Sequence, residues 1–321
     1  MNIIQKIKDT LKSPHKPSVG FYETAQKYTV SFSAEIRNND SEERSCRIVF
    51  PIPFSDAFQE CGDVLFFPQG NVRAHDPVHN NTYAYWKILL APKNTAVIRE
   101  NFEVLARPRR IAFDEVRGTL EDYAAFDQTL VGRHMHSNRF VSGEDERIKK
   151  IAGAIAGSEK NIAKIITSIN KYTISRLFYG NPIKGLYSFS DALEKEKVDC
   201  GGFDTLLVSL LIAAGVPARV VSGFFAGYPG NSMHAWAEAL LPDGRWFPLD
   251  PSIEKLSGEK KTKKSGRAGF TGSDRIALSV GCDIRIIVDG VEHQIDILQN
   301  PVIFADGREK DFSLRVNFST Q

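Results

Sequence analysis

Residues 28–37 alternate apolar and polar side chains position by position, the period of a strand with one buried face. The same β-branched and aromatic bias returns at residues 46–51, 82–90 and 95–105, and Asn38, Asn39, Asp40 and Ser41 make a polar turn. Residues 20–112 are therefore expected to form a β-sandwich-like domain. Before it, Ile3, Ile4, Ile7 and Leu11 recur at near-helical spacing until Pro14 and Pro17. Residues 1–19 thus read as an amphipathic helix and linker, docked on the body or in weak contact with a membrane surface.

From Ser142 the apolar period lengthens to three and four. Helices are expected at 144–156 and 161–178, and a short one at 192–196 capped by Ser190 or Asp191. Another starts at Cys200 and stops at Gly215-Val-Pro217. Strand-like alternation follows at 218–225, 233–241 and 245–249, and again at 275–289 and 292–318. Helices followed by strands predict an α+β domain, with helices packed on an antiparallel sheet. The expected organisation is 1–19, 20–112 and 113–321, the last being a core with a C-terminal strand extension.

Composition narrows the function classes. A formal charge of +2 gives no sign of bulk nucleic-acid binding. One cluster stands out, EKLSGEKKTKKSGR at 254–267, read as a solvated loop or as a flexible rim that attracts an anionic substrate. Cys46, Cys61, Cys200 and Cys282 match no zinc spacing and no disulfide framework. His134 and His136 lie two apart, too few ligands for a metal site. No apolar signal-like region follows the start, and the longest uncharged apolar stretch, 205–218, is too short to span a bilayer. A cytoplasmic protein without a membrane span is the expectation.

The chemistry lies in residues 198–251. Cys200 opens a helix, where unpaired N–H groups and the macrodipole favour a thiolate. Its own N–H offers half of an oxyanion hole. His234 sits on one expected strand and Asp250 ends the next, so both side chains can share a face. Thiol, imidazole and carboxylate in that order suit nucleophilic catalysis, the thiol attacking, the imidazole moving the proton and the carboxylate orienting it.

The run DCGGFDTLLVSLLIAAGVPARVVSG at 199–223, then HAWAE at 234–238 and WFPLDP at 246–251, resembles the transglutaminase-like core. Residues 20–112 more loosely resemble the β-rich domain placed before this core in bacterial members, and 272–281 resembles the stretch that follows it. The resemblance implies a papain-like fold, Cys200 as nucleophile, His234 as general acid and base, and Asp250 as its orienter. It implies no organic cofactor, and nothing here carries over the calcium that some members need. A second oxyanion donor upstream of the cysteine would be Tyr187 or Tyr179, and Trp236 would be a core or pocket-wall aromatic. Asp204 departs from the small residue often found there, and close to Cys200 it would oppose the thiolate. The implied activity is cysteine-dependent acyl transfer on a protein or peptide substrate, favouring hydrolysis. Transamidation of glutamine and an inactive peptide-binding scaffold are the alternatives.

Overall fold

The computed structural model describes residues 20–228 and 232–321, so the helix expected within 1–19 lies outside the described residues. The chain first forms seven strands: β1 (Gln26–Asn38), β2 (Arg44–Ile52), β3 (Gln59–Cys61), β4 (Leu65–Phe67), β5 (Val72–His75), β6 (Thr82–Leu90) and β7 (Thr95–Ala106). In one sheet β7 pairs with β1, β3 and β4, and in the other β6 pairs with β2 and β5. Alternation along β1 turns Tyr28, Val30, Phe32, Ala34 and Ile36 inward. They join one apolar core with Ile48 and Phe50 of β2 and Trp86 of β6.

The path continues through β8 (Arg109–Arg110), α1 (Gln128–Met135), α2 (Glu146–Ala156), α3 (Ile162–Arg176), β9 (Phe178–Tyr179), α4 (Phe189–Lys195), β10 (Lys197–Val198) and α5 (Cys200–Ala213). Helix α4 starts earlier than the apolar spacing suggested. Ser188 caps it, in a reciprocal capping box with Asp191. Helix α5 is apolar all round and buried from Gly201 to Ile212, the pattern of a central helix. It packs on α2, α3 and α4 and against the sheet that follows.

That sheet has β11 (Ala218–Phe225), β12 (Met233–Leu240) and β13 (Trp246–Leu249). Next comes α6 (Pro251–Gly258), in a segment that the charge pattern alone presented as loop. The Asp250 side chain caps it and Pro251 occupies its first turn, two helix-starting signals in adjacent residues. Then β14 (Phe270–Thr271) pairs with β8, and β15 (Arg275–Val280) completes the order β13-β12-β11-β15. The outer edge of β15 does not stay open. The Gln59 amide exchanges hydrogen bonds with the Ala277 backbone at 2.8 and 2.9 Å, and the Asn81 amide does the same with Val280 at 2.8 Å.

After a hairpin of β16 (Ile284–Val288) and β17 (Val291–Ile295), the chain returns to its start. β18 (Val302–Ala305) pairs with β2, and β19 (Phe312–Thr320) pairs with β1. These last strands, expected as an extension of the core, are hydrogen-bonded into the two N-terminal sheets. Alternation marks a strand but not its partner. The sandwich interior also runs into the core sheet, with Phe32 and Phe224 edge to face at 5.6 Å. The result is an α+β fold whose N-terminal β-domain is docked on the helix-on-sheet core. No described helix is long and apolar enough to cross a membrane.

Candidate active site

Cys200 is the first residue of α5, half-buried, directly after the short parallel pair of β9 and β10. Helix α5 packs on β12, and the Ala235 N–H is among the groups that act on the Cys200 thiol, in the sense that favours its thiolate. Ala235 follows His234, so the thiol lies against the strand segment that carries the imidazole. Register places His234 opposite Gly223 of β11. A side chain at Gly223 would stand 1.9 Å from the Ile276 carbonyl, so only glycine allows β15 this close.

His234 Nε2 lies 2.8 Å from Asp250 Oδ2, both side chains buried. The ionised carboxylate only accepts, so Nε2 carries the proton and Nδ1 keeps its lone pair. Asp250 also accepts from Ser252 Oγ at 3.1 Å and the Ile253 N–H at 3.0 Å, and it forms an ion pair with Arg275. Burial pushes its pKa up, but His234 and Arg275 outweigh that and hold the carboxyl well below the usual range. Burial lowers the His234 pKa, and Asp250 opposes that shift only in part.

Residues 149–251 match the family model of the transglutaminase-like superfamily, a span that contains all three of these residues. The chain carries a transglutaminase-like domain. A search of curated proteins found no match. Among solved structures, one described as "a Putative Cysteine Protease from Cytophaga hutchinsonii" aligns at a TM-score of 0.62 with 13% identity, over 92% of this chain and 91% of that one. Its similarity therefore extends over both the β-domain and the core. The periplasmic domain of TgpA from Pseudomonas aeruginosa aligns at a TM-score of 0.41 with 13% identity, over 75% of this chain and 91% of that one.

In the transglutaminase-like domain the expected oxyanion donors separate. Tyr187 is buried and its hydroxyl donates to the Asn181 carbonyl at 2.8 Å, so that proton is already committed to shaping the loop. Tyr179 is 42% exposed, and its phenol lies within electrostatic reach of Cys200, Asp199, Asp250 and Asp204. Burial first, then those groups, keep it a neutral donor. Trp236 is fully buried, packs with Val221, Ala277 and Val280, and lies with its ring 6.3 Å from His234. It forms the wall behind the imidazole.

Several neighbours had no place in the expected triad. Arg275 donates from Nη1 to Ser265 Oγ at 2.8 Å and Asp274 Oδ1 at 3.0 Å while Nη2 meets Asp250. Phe225 stacks on His234 at 4.3 Å. Lys264, from the basic cluster, is not on a free loop. Its ammonium lies 4.0 Å over Phe225 and bonds Ser232 Oγ at 2.5 Å. Arg275 lay within the quoted stretch 272–281, but its side-chain partner was not encoded in the spacing.

The helix N-terminus and Asp204 act on the Cys200 thiol in opposite senses. Burial, then the carboxyls of Asp204 and Asp199, push the Cys200 thiol up, and the Ala235 N–H counteracts them only in part. Asp204 sits one turn after Cys200, fully buried, and neither carboxyl oxygen has a hydrogen-bond partner among the described residues. Its own pKa is raised well above normal, by burial first and then by Asp250 and Asp199. Both directions favour a neutral thiol and a neutral imidazole at rest, with burial and the two carboxyls acting against the pull of the helix N-terminus.

Proposed function

We propose that the protein is a cysteine-dependent acyl-transfer enzyme that hydrolyses peptide or isopeptide bonds through a thioester. The observation that carries this reading is the buried His234–Asp250 bond at 2.8 Å, between β12 and the residue that ends β13, with Cys200 heading the helix that packs on β12. Because the resting pair is neutral, attack and proton transfer occur together. The sulfur adds to the amide carbon while its proton passes to His234 Nδ1. Asp250 stabilises the imidazolium that forms, and Arg275 keeps Asp250 ionised.

Charge then develops on the former carbonyl oxygen. The Cys200 N–H at the head of α5 and the Tyr179 hydroxyl are the proposed donors. Collapse of the tetrahedral adduct breaks the C–N bond, and the imidazolium gives its proton to the departing amine. Water, deprotonated by His234, then cleaves the thioester. An amine in place of that water gives transamidation by the same steps. The description of the Cytophaga hutchinsonii structure as a protease supports water as the acceptor.

The test is incubation of the protein with a complex peptide mixture, with and without a dansylated alkylamine, followed by mass spectrometry. New peptide termini or deamidated glutamines indicate hydrolysis, and amine-tagged glutamines indicate transfer. Cys200→Ala and His234→Ala are expected to abolish turnover, and Asp250→Ala to leave a weak residue of it. Identical product lists from the native protein and Cys200→Ala would reject the enzyme reading in favour of a scaffold.

A further inference from the structure

A cavity of about 350 Å³ lies between the β-domain and the core, away from Cys200. Val208 and Ile212 of α5 and Val220 of β11 give it apolar walls. At 1.5 Å per residue, this stretch of α5 lies roughly 12 to 18 Å along the helix axis from Cys200. Six cationic or basic side chains dominate its polar lining, Arg133, Arg219, Arg285, His79, His134 and His136, beside neutral Ser137, Asn138 and Gln294 and the acidic Asp283. His134 and His136, two apart in sequence, therefore come to one cavity, but from the end of a helix and not from one face of a strand.

The lining is not neutralised from within. Asp283, its one acidic side chain, is engaged by Arg139. Arg133 has no ion-pair partner among the described residues, and Arg285 reaches Glu292 only at 3.9 Å. Arg219 is fixed by two hydrogen bonds to Glu238 at 2.7 and 2.9 Å and lies 3.7 Å over the Trp246 ring. His134 packs edge-on against the same ring at 4.8 Å, with His79 at 6.0 Å on its other side. His79 Nδ1 is buried without a partner.

A metal ion does not suit this place. Among the described residues no three His, Cys, Asp or Glu side chains are arranged to hold one. Burial, and after it the guanidiniums of Arg219 and Arg133, keep His134 uncharged. The positive field that disfavours an imidazolium or a metal cation favours an anion. A volume near the lower end of the small-molecule range, with apolar walls and convergent donors, fits one ring-sized body with an anionic head.

We propose that this cavity is a binding site for a small organic anion, its phosphate or carboxylate held by Arg133, Arg285 and the histidines and its apolar part against Val208, Ile212 and Val220. The site is separate from Cys200, and its test uses no activity. Calorimetric titration with phenyl phosphate and with benzoate distinguishes the two headgroups, and phenol serves as the uncharged control. At least one anion is expected to bind with a Kd of about 1 mM or tighter, with phenol weaker by about tenfold or more. The exposed double change Arg133→Gln and Arg285→Gln is expected to weaken the anion by about tenfold or more, while Cys200→Ala leaves it unchanged. The proposal is overturned if neither anion binds, if phenol binds as well, if the double variant binds normally, or if Cys200→Ala removes binding.

Discussion

Arg275 and His234 converge on the same oxygen, Oδ2 of Asp250. One carboxylate thus anchors the imidazole and is itself anchored by a buried guanidinium that Ser265 and Asp274 hold from behind. A buried carboxylate–guanidinium pair is expensive to desolvate, and removing one member leaves the other uncompensated. Arg275 therefore acts on His234 through Asp250.

Arg275→Met is expected to destabilise the fold by about 3 kcal/mol or more, because Asp250 loses its counter-charge. Its pH signature has a definite sign. Asp250 has a depressed pKa in the folded state, so its contribution is present above the unfolded pKa and is lost as pH falls toward the folded one. Loss of Arg275 reduces that depression, so acid unfolding should begin at higher pH than in the native protein. Circular dichroism across an acid titration reads this directly, and an unchanged acid midpoint would exclude the coupling.

A neutral thiol-imidazole pair predicts how Cys200 reacts with iodoacetamide. The rate should climb steadily as pH rises through and above 7, with no fast plateau on the acid side. A plateau below pH 6 would mean a preformed thiolate-imidazolium pair. Cys46, Cys61 and Cys282 are also pushed up by burial, to about 11, 12 and 12; Cys46 and Cys282 are buried and should label more slowly than Cys200, while Cys61, half-buried like Cys200, is the internal comparison. Mass spectrometry of alkylated peptides over time separates the four.

Asp204 should leave a mark on stability against pH. Its folded pKa is raised, so the folded state holds a proton that the unfolded chain has released once pH passes about 4. From there up to the folded pKa, each pH unit costs the native protein about 1.4 kcal/mol. Asp204→Asn removes this slope, so its stability relative to the native protein should improve from pH 4 toward pH 7. Parallel stability curves for the two proteins would show that Asp204 is ionised in the fold.

Much of this architecture was legible in the chain. The long alternation at 28–37 and the apolar run after Cys200 fixed their elements because their burial is one-sided or complete, which leaves a clean period. His234 could be placed on a strand and Asp250 at a strand's end for the same reason. What stayed hidden was long-range pairing. β19 alternates like any strand, and only its register with β1 shows that it is the edge strand of an N-terminal sheet. Lys264 was hidden for a related reason, since a charge run looks solvated until a fold turns one member inward, and Arg275 because its partner Asp250 lies 25 residues away in sequence. Asp204 was visible as a departure, but not that its carboxyl oxygens have no hydrogen-bond partner among the described residues.

Gly266→Ala tests whether the Arg275–Asp250 contact depends on backbone clearance. Gly266 has φ +145, and a Cβ there would stand 2.4 Å from Arg275 Nη2 and 2.8 Å from Asp250 Oδ2. Overpacking at such a site typically costs about 1–3 kcal/mol, and the unfavourable φ adds to it. Turnover should fall further than Tm suggests, because the displaced groups are those that orient His234. A variant with native turnover and a normal Tm would mean that the loop moves aside freely.

Lys264 gives a charge-selective prediction. Its ammonium lies over Phe225, the ring stacked on His234, with no ion-pair partner among the described residues. Burial lowers its pKa, and Arg275 adds to that, while Asp274 and Cys200 oppose it. A cation this near the thiol attracts an anionic reagent. Iodoacetate should therefore alkylate Cys200 better, relative to neutral iodoacetamide, than it does a free thiol. Lys264→Met should lower the iodoacetate to iodoacetamide ratio about threefold to tenfold, an effect that shrinks as salt is raised. Taking the ratio cancels any general change in thiol reactivity, so an unchanged ratio would show that Lys264 does not face the incoming substrate.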